Sequence, residues 1–430
     1  MSKKLTKSIV FYGIGAGLSQ SLIILLLPAY TSVLDEVSYG AFELIYAFFL
    51  LLNLIGMSQI DSALGRFYFE AKSEEERNSY LFTGFVIVSF ISILLGVLVF
   101  FCSTFFSNLL FQMDAYANAF KIIAFTIPVI NCYNLFLIIL RFNNKPWLFT
   151  GLSIIQVLVT GLLTLWFLFS LEFGVSGILF ANIFGFLIGL ILVSIYYKDI
   201  FKSTFNKEIK QSYFKFSIPL FPAVIGSWVN NHSSKFLFLI YLSTSQLGLF
   251  TAALKVASLF KFGDYVFRMA WTPFYLEEIK KKNHKHTFKK VYELALLVFG
   301  IAVILFHFIK KPLAQLLFSK VIFYEAVPYI SLLAFSFVIT ILVQIIGTGP
   351  VITKKTIYNT YNFIFSLSLF FIAFFILTPI YGIYGVVYSQ VIGSLALFTV
   401  SWYNSNKLYP IKFSIIKTVF FIIVVLGVIL

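Results

Sequence analysis

The feature that most constrains this chain is the recurrence of unbroken apolar stretches about twenty residues long. One of them contains "IVSFISILLGVLVFF" at 87–101. A hydrocarbon core is about 30 Å thick, and about 20 apolar residues in helix cross it. Inside it every backbone N–H and C=O must be paired within the protein, so only helices and closed barrels span it. Barrel strands would alternate apolar and polar residues over segments of about ten. The stretches here are continuous, and they predict an all-α, polytopic membrane protein. Composition agrees: 60% of the 430 residues are apolar and 11% charged, against about 25% charged in soluble domains. No long polar segment is left for a soluble domain.

The stretches place thirteen spans near 8–33, 40–63, 80–104, 118–140, 148–170, 174–197, 214–238, 247–267, 289–309, 326–347, 357–378, 381–403 and 412–430. The first follows Lys3, Lys4 and Lys7 as a signal peptide would, but its apolar run is too long for one and holds Gly13, Gly15, Gly17 and Gln20, so it is read as uncleaved. The formal charge of +15 suggests an anionic partner. Its distribution excludes nucleic acid and points to membrane lipids. With the N-terminus inside, 25 of the 32 basic residues fall in inside segments, and only Lys121, Lys310, Lys311 and Lys320 fall outside. Such a split orients the chain and meets the anionic inner leaflet. The long basic loops at 198–213 and 268–290 then read as solvated inside surfaces.

The sequence repeats itself. Lys7 and Lys215 each open a span, 208 residues apart; "YGAF" (39–42) meets "LGLF" (247–250) at the same offset; "RFYFE" (66–70) meets "PFYLE" (273–277) at 207. "GVSGILFANIFG" (174–185) meets "GIYGVVYSQVIG" (382–393) at 208, with all three glycines coinciding. The architecture that follows is two six-helix lobes, 1–205 and 206–405, as parallel repeats, with an additional transmembrane helix at 406–430. Six plus six is a transporter plan, in which two lobes rock about a central cavity. The aligned glycines read as close-packing positions.

Polar groups at membrane depth are costly and mark function by default. Lys235 lies toward the outer end of the seventh span beside Asn230, Asn231 and His232; it either lines a cavity or snorkels to the interface. Lys255, about eight residues into the eighth span, is too deep to snorkel easily. Asp61 and Arg66, at the inner end of the second span, are either cavity groups or a plain interfacial ion pair. Gln20 is near the middle of the first span; Glu43 and Asp264 sit near span ends as weaker candidates. No second His or Cys stands at ligand spacing from His232, Cys102 and Cys132 read as buried free thiols, and neither a metal site nor a cofactor is expected. Pro28, Pro219 and Pro222 would kink the first and seventh spans.

The runs at 15–45 ("GAGLSQSLIILLLPAYTSVLDEVSYGAFELI"), 61–70 ("DSALGRFYFE"), 216–259 and 271–278 ("WTPFYLEE") resemble bacterial polysaccharide flippases of the O-antigen type, within the multidrug/oligosaccharidyl-lipid/polysaccharide exporter superfamily. The resemblance implies a multi-pass protein of the cell (inner) membrane that moves an isoprenoid-pyrophosphate-linked oligosaccharide to the outer leaflet by alternating access. Its site would be a cleft lined by the first, second, seventh and eighth spans, holding Gln20, Asp61, Arg66, Asn231, Lys235 and Lys255. Many relatives carry an acid just before the basic residue of the seventh span. Here that place is Ser234, which leaves Lys235 with no adjacent neutralising group.

The chain has no GxxxxGK[ST] phosphate loop. Energy would come from an ion gradient or from downstream consumption of the lipid, so a coupling ion stays open. A major-facilitator transporter also has six plus six helices but would show a Gly/Asp/Arg-rich loop between its second and third spans, which "RFYFEAKSEEER" is not. Two further rivals are a cation-coupled drug exporter of the same superfamily, and a membrane polysaccharide polymerase or glycosyltransferase. The first would want acidic groups at depth, where the balance here is basic. The second would want a large catalytic outside loop, and the expectation is no enzyme. The orientation has a direct test. A cysteine replacing Lys282 should escape impermeant thiol reagents in intact cells and react after permeabilisation; labelling in intact cells would invert the topology.

Overall fold

The computed structural model describes residues 24–143, 145–355 and 357–430. Every regular element among them is a helix. They form two compact units, residues 1–239 and 240–430. The first contains α1 (Leu27–Val33), α2 (Glu36–Met57), α3 (Ile60–Glu70), α4 (Glu74–Phe101), α5 (Ser103–Phe111), α6 (Ala117–Phe142), α7 (Pro146–Phe169), α8 (Gly174–Tyr196), α9 (Lys207–Ser217) and most of α10 (Phe221–Tyr241). The second contains α11 (Thr244–Ala257), α12 (Leu259–Glu278), α13 (His284–Leu317), α14 (Val327–Ile346), α15 (Gly349–Ile352), α16 (Ile357–Tyr381), α17 (Ile383–Leu408) and α18 (Ile415–Ile429).

In each unit one span is the axis, the fourth and the tenth of the chain. In the first unit α6 packs on α2, α4 and α8, burying Phe120, Ile127, Leu135 and Phe136. Its buried Asn131 donates from Nδ2 to Ser92 Oγ of α4 at 2.8 Å, which satisfies a polar pair that hydrocarbon could not. In the second unit α14 packs on α11, α12, α13 and α17, burying Phe335, Val338, Ile339 and Leu342. Elsewhere large apolar side chains face outward: Phe90, Phe101, Leu162, Phe308 and Ile416 are all more than half exposed. That is the surface expected of a protein whose solvent is lipid.

Among the described residues nine helical segments are long and apolar enough to cross a membrane. The spans differ from the sequence reading in three places. The second breaks where Ser58 and Gln59 turn left-handed (φ 46° and 58°), separating α2 from α3. The eighth breaks at Ser258, and α12 continues to Glu278, so most of what read as the start of a polar loop is helix. Just beyond, Glu278 accepts from Lys281 Nζ at 2.6 Å and from Thr287 Oγ1 at 2.9 Å, and these bonds hold its carboxyl below the usual range. The seventh is preceded by α9, an amphipathic helix capped by Asn206, whose Tyr213 is buried and donates to Tyr80 O at 2.9 Å. The three prolines sit where the helical path changes: residues 24–25 are helical and Leu26 is a turn just before α1, and α9, the 3-10 turn and α10 follow one another without a gap. Pro28 lies in the first turn of α1, Pro219 in a 3-10 turn at Ile218–Leu220 and Pro222 in the first turn of α10. A missing N–H costs nothing in a first turn.

Compactness divides the chain at 239/240, not at 205/206, because α9 packs on α3 and α4, and α10 is tied to α2 as described below. Helix α18 does not stand apart either. It packs on α13, with Lys417 Nζ 2.7 Å from Glu293 Oε2, Tyr292 Oη 2.7 Å from Thr418 Oγ1, and Phe421 against Gly300. Residues 406–430 thus belong to the second unit.

The repeat reappears in local geometry. Asp35 caps α2 by accepting from Ser38 N, and Ser243, 208 residues later, caps α11 by accepting from Gln246 N. Gly174 and Gly382 open α8 and α17 with φ of +53° and +59°, a conformation other residues rarely adopt. A Cβ on Gly174 would lie 4.0 Å from Leu34 and one on Gly382 4.0 Å from Leu242, leucines that are again 208 apart. So the first glycine of each motif serves the turn, and the next serves packing. A Cβ on Gly385 would come 2.3 Å from Leu377 O, a backbone atom that cannot step aside. Gly385→Ala should cost about 1–3 kcal/mol of stability, read as a lowered unfolding midpoint of the purified protein. Gly151→Ala, where nothing lies within 4 Å, should not lower it.

Candidate functional site

The first unit holds one deeply buried charge pair among the described residues. Lys235 Nζ on α10 lies 2.6 Å from Glu43 Oε2 on α2, with the two side chains 9% and 2% exposed. Tyr39, one turn before Glu43, donates from its hydroxyl to Glu43 Oε1 at 3.4 Å. Two turns before Lys235, Trp228 donates from Nε1 to Ala47 O at 3.2 Å. The two ties run in opposite order along the two helices, so α10 and α2 are antiparallel neighbours. Phe42, between Tyr39 and Glu43 on the same helix, meets the rings of Tyr30, Tyr39 and Tyr46 within 6.4 Å. Glu43 itself is buried, with the Tyr39 hydroxyl and the Lys235 ammonium on its carboxylate. Lys235 neither snorkels nor lacks a neutralising group: its carboxylate comes from another helix, 192 residues away in the chain.

Removing either partner would leave the other buried and uncompensated, a loss of about 3–5 kcal/mol. The same face of α10 carries exposed Ser227 and Asn231, with Asn231 Nδ2 donating to Ser227 O at 2.8 Å. Helices α10 and α12 are 21 and 20 residues long, yet neither is apolar enough to be among the nine. Helices of spanning length that are this polar fit water better than lipid.

The remaining expected residues are scattered. Gln20 lies outside the described residues. Asp61 is in the first turn of α3, where the helix dipole favours a carboxylate. Its buried Oδ1 has no hydrogen-bond partner among the described residues. It opens on a cavity of about 320 Å³ that Arg141, Gly65 and Phe142 also line. Arg66 does not pair with Asp61. Its Nε is 3.3 Å from Glu70 Oε1, and its guanidinium lies 5.2 Å from the centre of the Phe216 ring. Lys255, in the second unit, is half-buried and is the twelfth residue of α11, about 17 Å along it at 1.5 Å per residue rather than about 12 Å. It is in the last turn before the break, and Ser258 Oγ donates to its carbonyl at 2.6 Å. A helix C-terminus favours a cation there. Asp264 pairs with Arg268 at 2.5 Å on α12.

The fold has counterparts among solved structures. A lipid II flippase MurJ in an inward closed conformation matches with a TM-score of 0.71 and 17% identity, covering 98% of each chain. An inward-facing multidrug resistance MATE family transporter of the MOP superfamily matches at 0.65 and 15%, covering 92% of this chain and 97% of its own. The Vibrio cholerae MATE transporter VcmN, as its D35N mutant, matches at 0.55 and 12%, covering 94% and 96%. These identities show a shared fold. No curated protein matches the chain in sequence. A family model described as "Polysaccharide biosynthesis protein" matches residues 5–274, well over half of the chain, and the chain therefore belongs to the polysaccharide biosynthesis protein family.

Proposed function

We propose that this protein is a flippase that moves an isoprenoid-pyrophosphate-linked oligosaccharide, such as an O-antigen precursor, across the cell membrane by alternating access. The observation that carries the reading is a buried cation, Lys235, paired across helices with Glu43, in a member of a polysaccharide biosynthesis family with a transporter fold. A pyrophosphate head group cannot enter hydrocarbon uncompensated. Glu43 neutralises Lys235 while no substrate is present, and the arriving anion takes over that role, releasing α10 from α2. The exposed amide of Asn231 on the same helix would meet saccharide hydroxyls. Lys255, at the end of α11, is the second cation on the path, and Gln20, Asp61 and Arg66 complete the set. The fold's transporter relatives favour carriage over catalysis, and a coupling cation is compatible with Asp61.

Deletion of the gene should abolish the surface glycan and leave lipid-linked saccharide in the cytoplasmic leaflet. An unchanged surface glycan, in a strain with no second flippase, would refute the reading. Complementation of that strain then ranks the cations. Lys255→Ala should reach normal protein levels and lose most transport, Lys255→Arg should keep part, and Lys255→Glu should be worst. Full complementation by Lys255→Glu at normal expression would show that this lysine meets no anion. For Lys235, Glu43→Gln keeps the cation and should retain part of the transport that Lys235→Gln loses; equal loss in both would make the pair purely structural.

A further inference from the structure

The second unit contains a cavity of a different chemical character. It is about 260 Å³ and is formed by α12, the C-terminal end of α14, the start of α16 and the middle of α17. Its aromatic wall is Trp271 and Tyr275; its polar groups are Gln344, Thr348, Asn359, Asn362 and Ser401. No charged side chain is among the described residues that line it. Its polar lining is made of amides and hydroxyls gathered around one space.

The walls are fixed. Trp271 donates from Nε1 to Gln344 O at 3.0 Å, with Phe267 stacked on it at 5.9 Å and Phe288 edge-on at 5.5 Å. Asn362 is 1% exposed; its Oδ1 accepts from Asn404 Nδ2 at 2.5 Å and its Nδ2 donates to Ser401 Oγ at 3.3 Å, leaving one N–H free. Three groups that line the cavity make no hydrogen bond within the protein among the described residues: the Tyr275 hydroxyl and the side-chain amides of Gln344 and Asn359. Donors and acceptors are thus left over on several sides of one small space.

We infer that this cavity is a subsite for one neutral sugar ring. Each alternative ligand fails on chemistry. A pyrophosphate needs cations and the lining offers none. A metal ion or organic cation needs an acid and finds none. An apolar ligand would leave at least three polar groups desolvated and unpaired, at about 1–3 kcal/mol each. A pyranose presents hydroxyls around its rim to amides and an apolar C–H face to aromatic rings. The volume, small for a ligand pocket of roughly 300–1,000 Å³, suits one ring and excludes an oligosaccharide. The cavity also lies at the end of the unit that carries Lys354, Lys355 and Lys407, the basic end that the charge distribution places inside. The saccharide-carrying reading supplies the reason a sugar would reach it; binding itself can be measured without transport.

The experiment uses the full chain in nanodiscs, free of glycoside detergent. Saturation-transfer NMR is recorded with the methyl glycosides of glucose, galactose and N-acetylglucosamine, with inorganic pyrophosphate as competitor. At least one neutral glycoside should receive saturation with Kd weakened roughly three- to tenfold in Gln344→Ala and in Asn359→Ala, as befits one lost hydrogen bond, and pyrophosphate should leave the signal intact. Asn359 is exposed, so its variant should not disturb folding. No transfer to any of the three glycosides, transfer equal in wild type and both variants, or loss of the signal to pyrophosphate would each overturn the assignment. The flippase reading is judged separately by the deletion phenotype: sugar binding with an unchanged surface glycan would sink that reading and leave the subsite standing.

Discussion

Hydrocarbon supplies no hydrogen bonds, and this protein is organised around that lack. It forces the chain into helices, and it turns every interior polar side chain into a group that must find its partner inside the protein. Asn131 finds Ser92, Tyr292 finds Thr418, and Lys235 finds Glu43. The last of these binds two helices that are not sequence neighbours, and it does so with full charges. In such surroundings an ion pair attracts strongly, yet both ions have been taken out of water, so the net contribution to stability is small and often unfavourable relative to apolar replacements. What the pair supplies, beside the Trp228–Ala47 bond, is a tie between α10 and α2 made by charges for which another anion would compete.

The membrane class was legible because it depends on composition summed over twenty residues, which tolerates local ambiguity. The repeat was legible because glycines are read as backbone requirements: Gly174 and Gly382 are needed for positive φ, and Gly385 for a contact with backbone. Breaks were less legible. Ser58 and Gln59 adopt left-handed backbone without being glycine or asparagine, and Ser258 interrupts a helix with a residue helices commonly contain. Proline marks such places but not their form: sequence shows that Pro219 and Pro222 lie within an apolar run, not that the run divides into a surface helix, a 3-10 turn and a new helix.

The partner of Lys235 was missed because compensation was sought at the adjacent position of the same helix, Ser234, the spacing at which relatives carry an acid. A partner 192 residues away carries no such spacing. A signal was nonetheless present. A lysine inside an apolar span must be compensated, the apolar spans hold few acids, and Glu43 is one of them. The neutral cavity of the second unit left no comparable trace. Asn, Gln, Ser and Thr scattered over four helices have no charge pattern, and only their convergence in space distinguishes them from satisfied core residues.

The repeat itself indicates which of these features the fold requires. At the offset of 208, Lys235 corresponds to Leu27 and Glu43 to Thr251. Leu27 is fully buried, and Thr251, 1% exposed, satisfies its hydroxyl on the carbonyls of Leu247 and Gly248 of its own helix. The repeat thus places a leucine and a self-satisfied threonine at the positions that match the lysine and the glutamate. The caps at Asp35 and Ser243 and the left-handed glycines at Gly174 and Gly382 are kept in both copies, as the turns demand. The charges are not, so folding alone does not call for them. Under the flippase proposal the pair would act by opening, and the anionic head group of a lipid-linked substrate is the partner whose chemistry would open it.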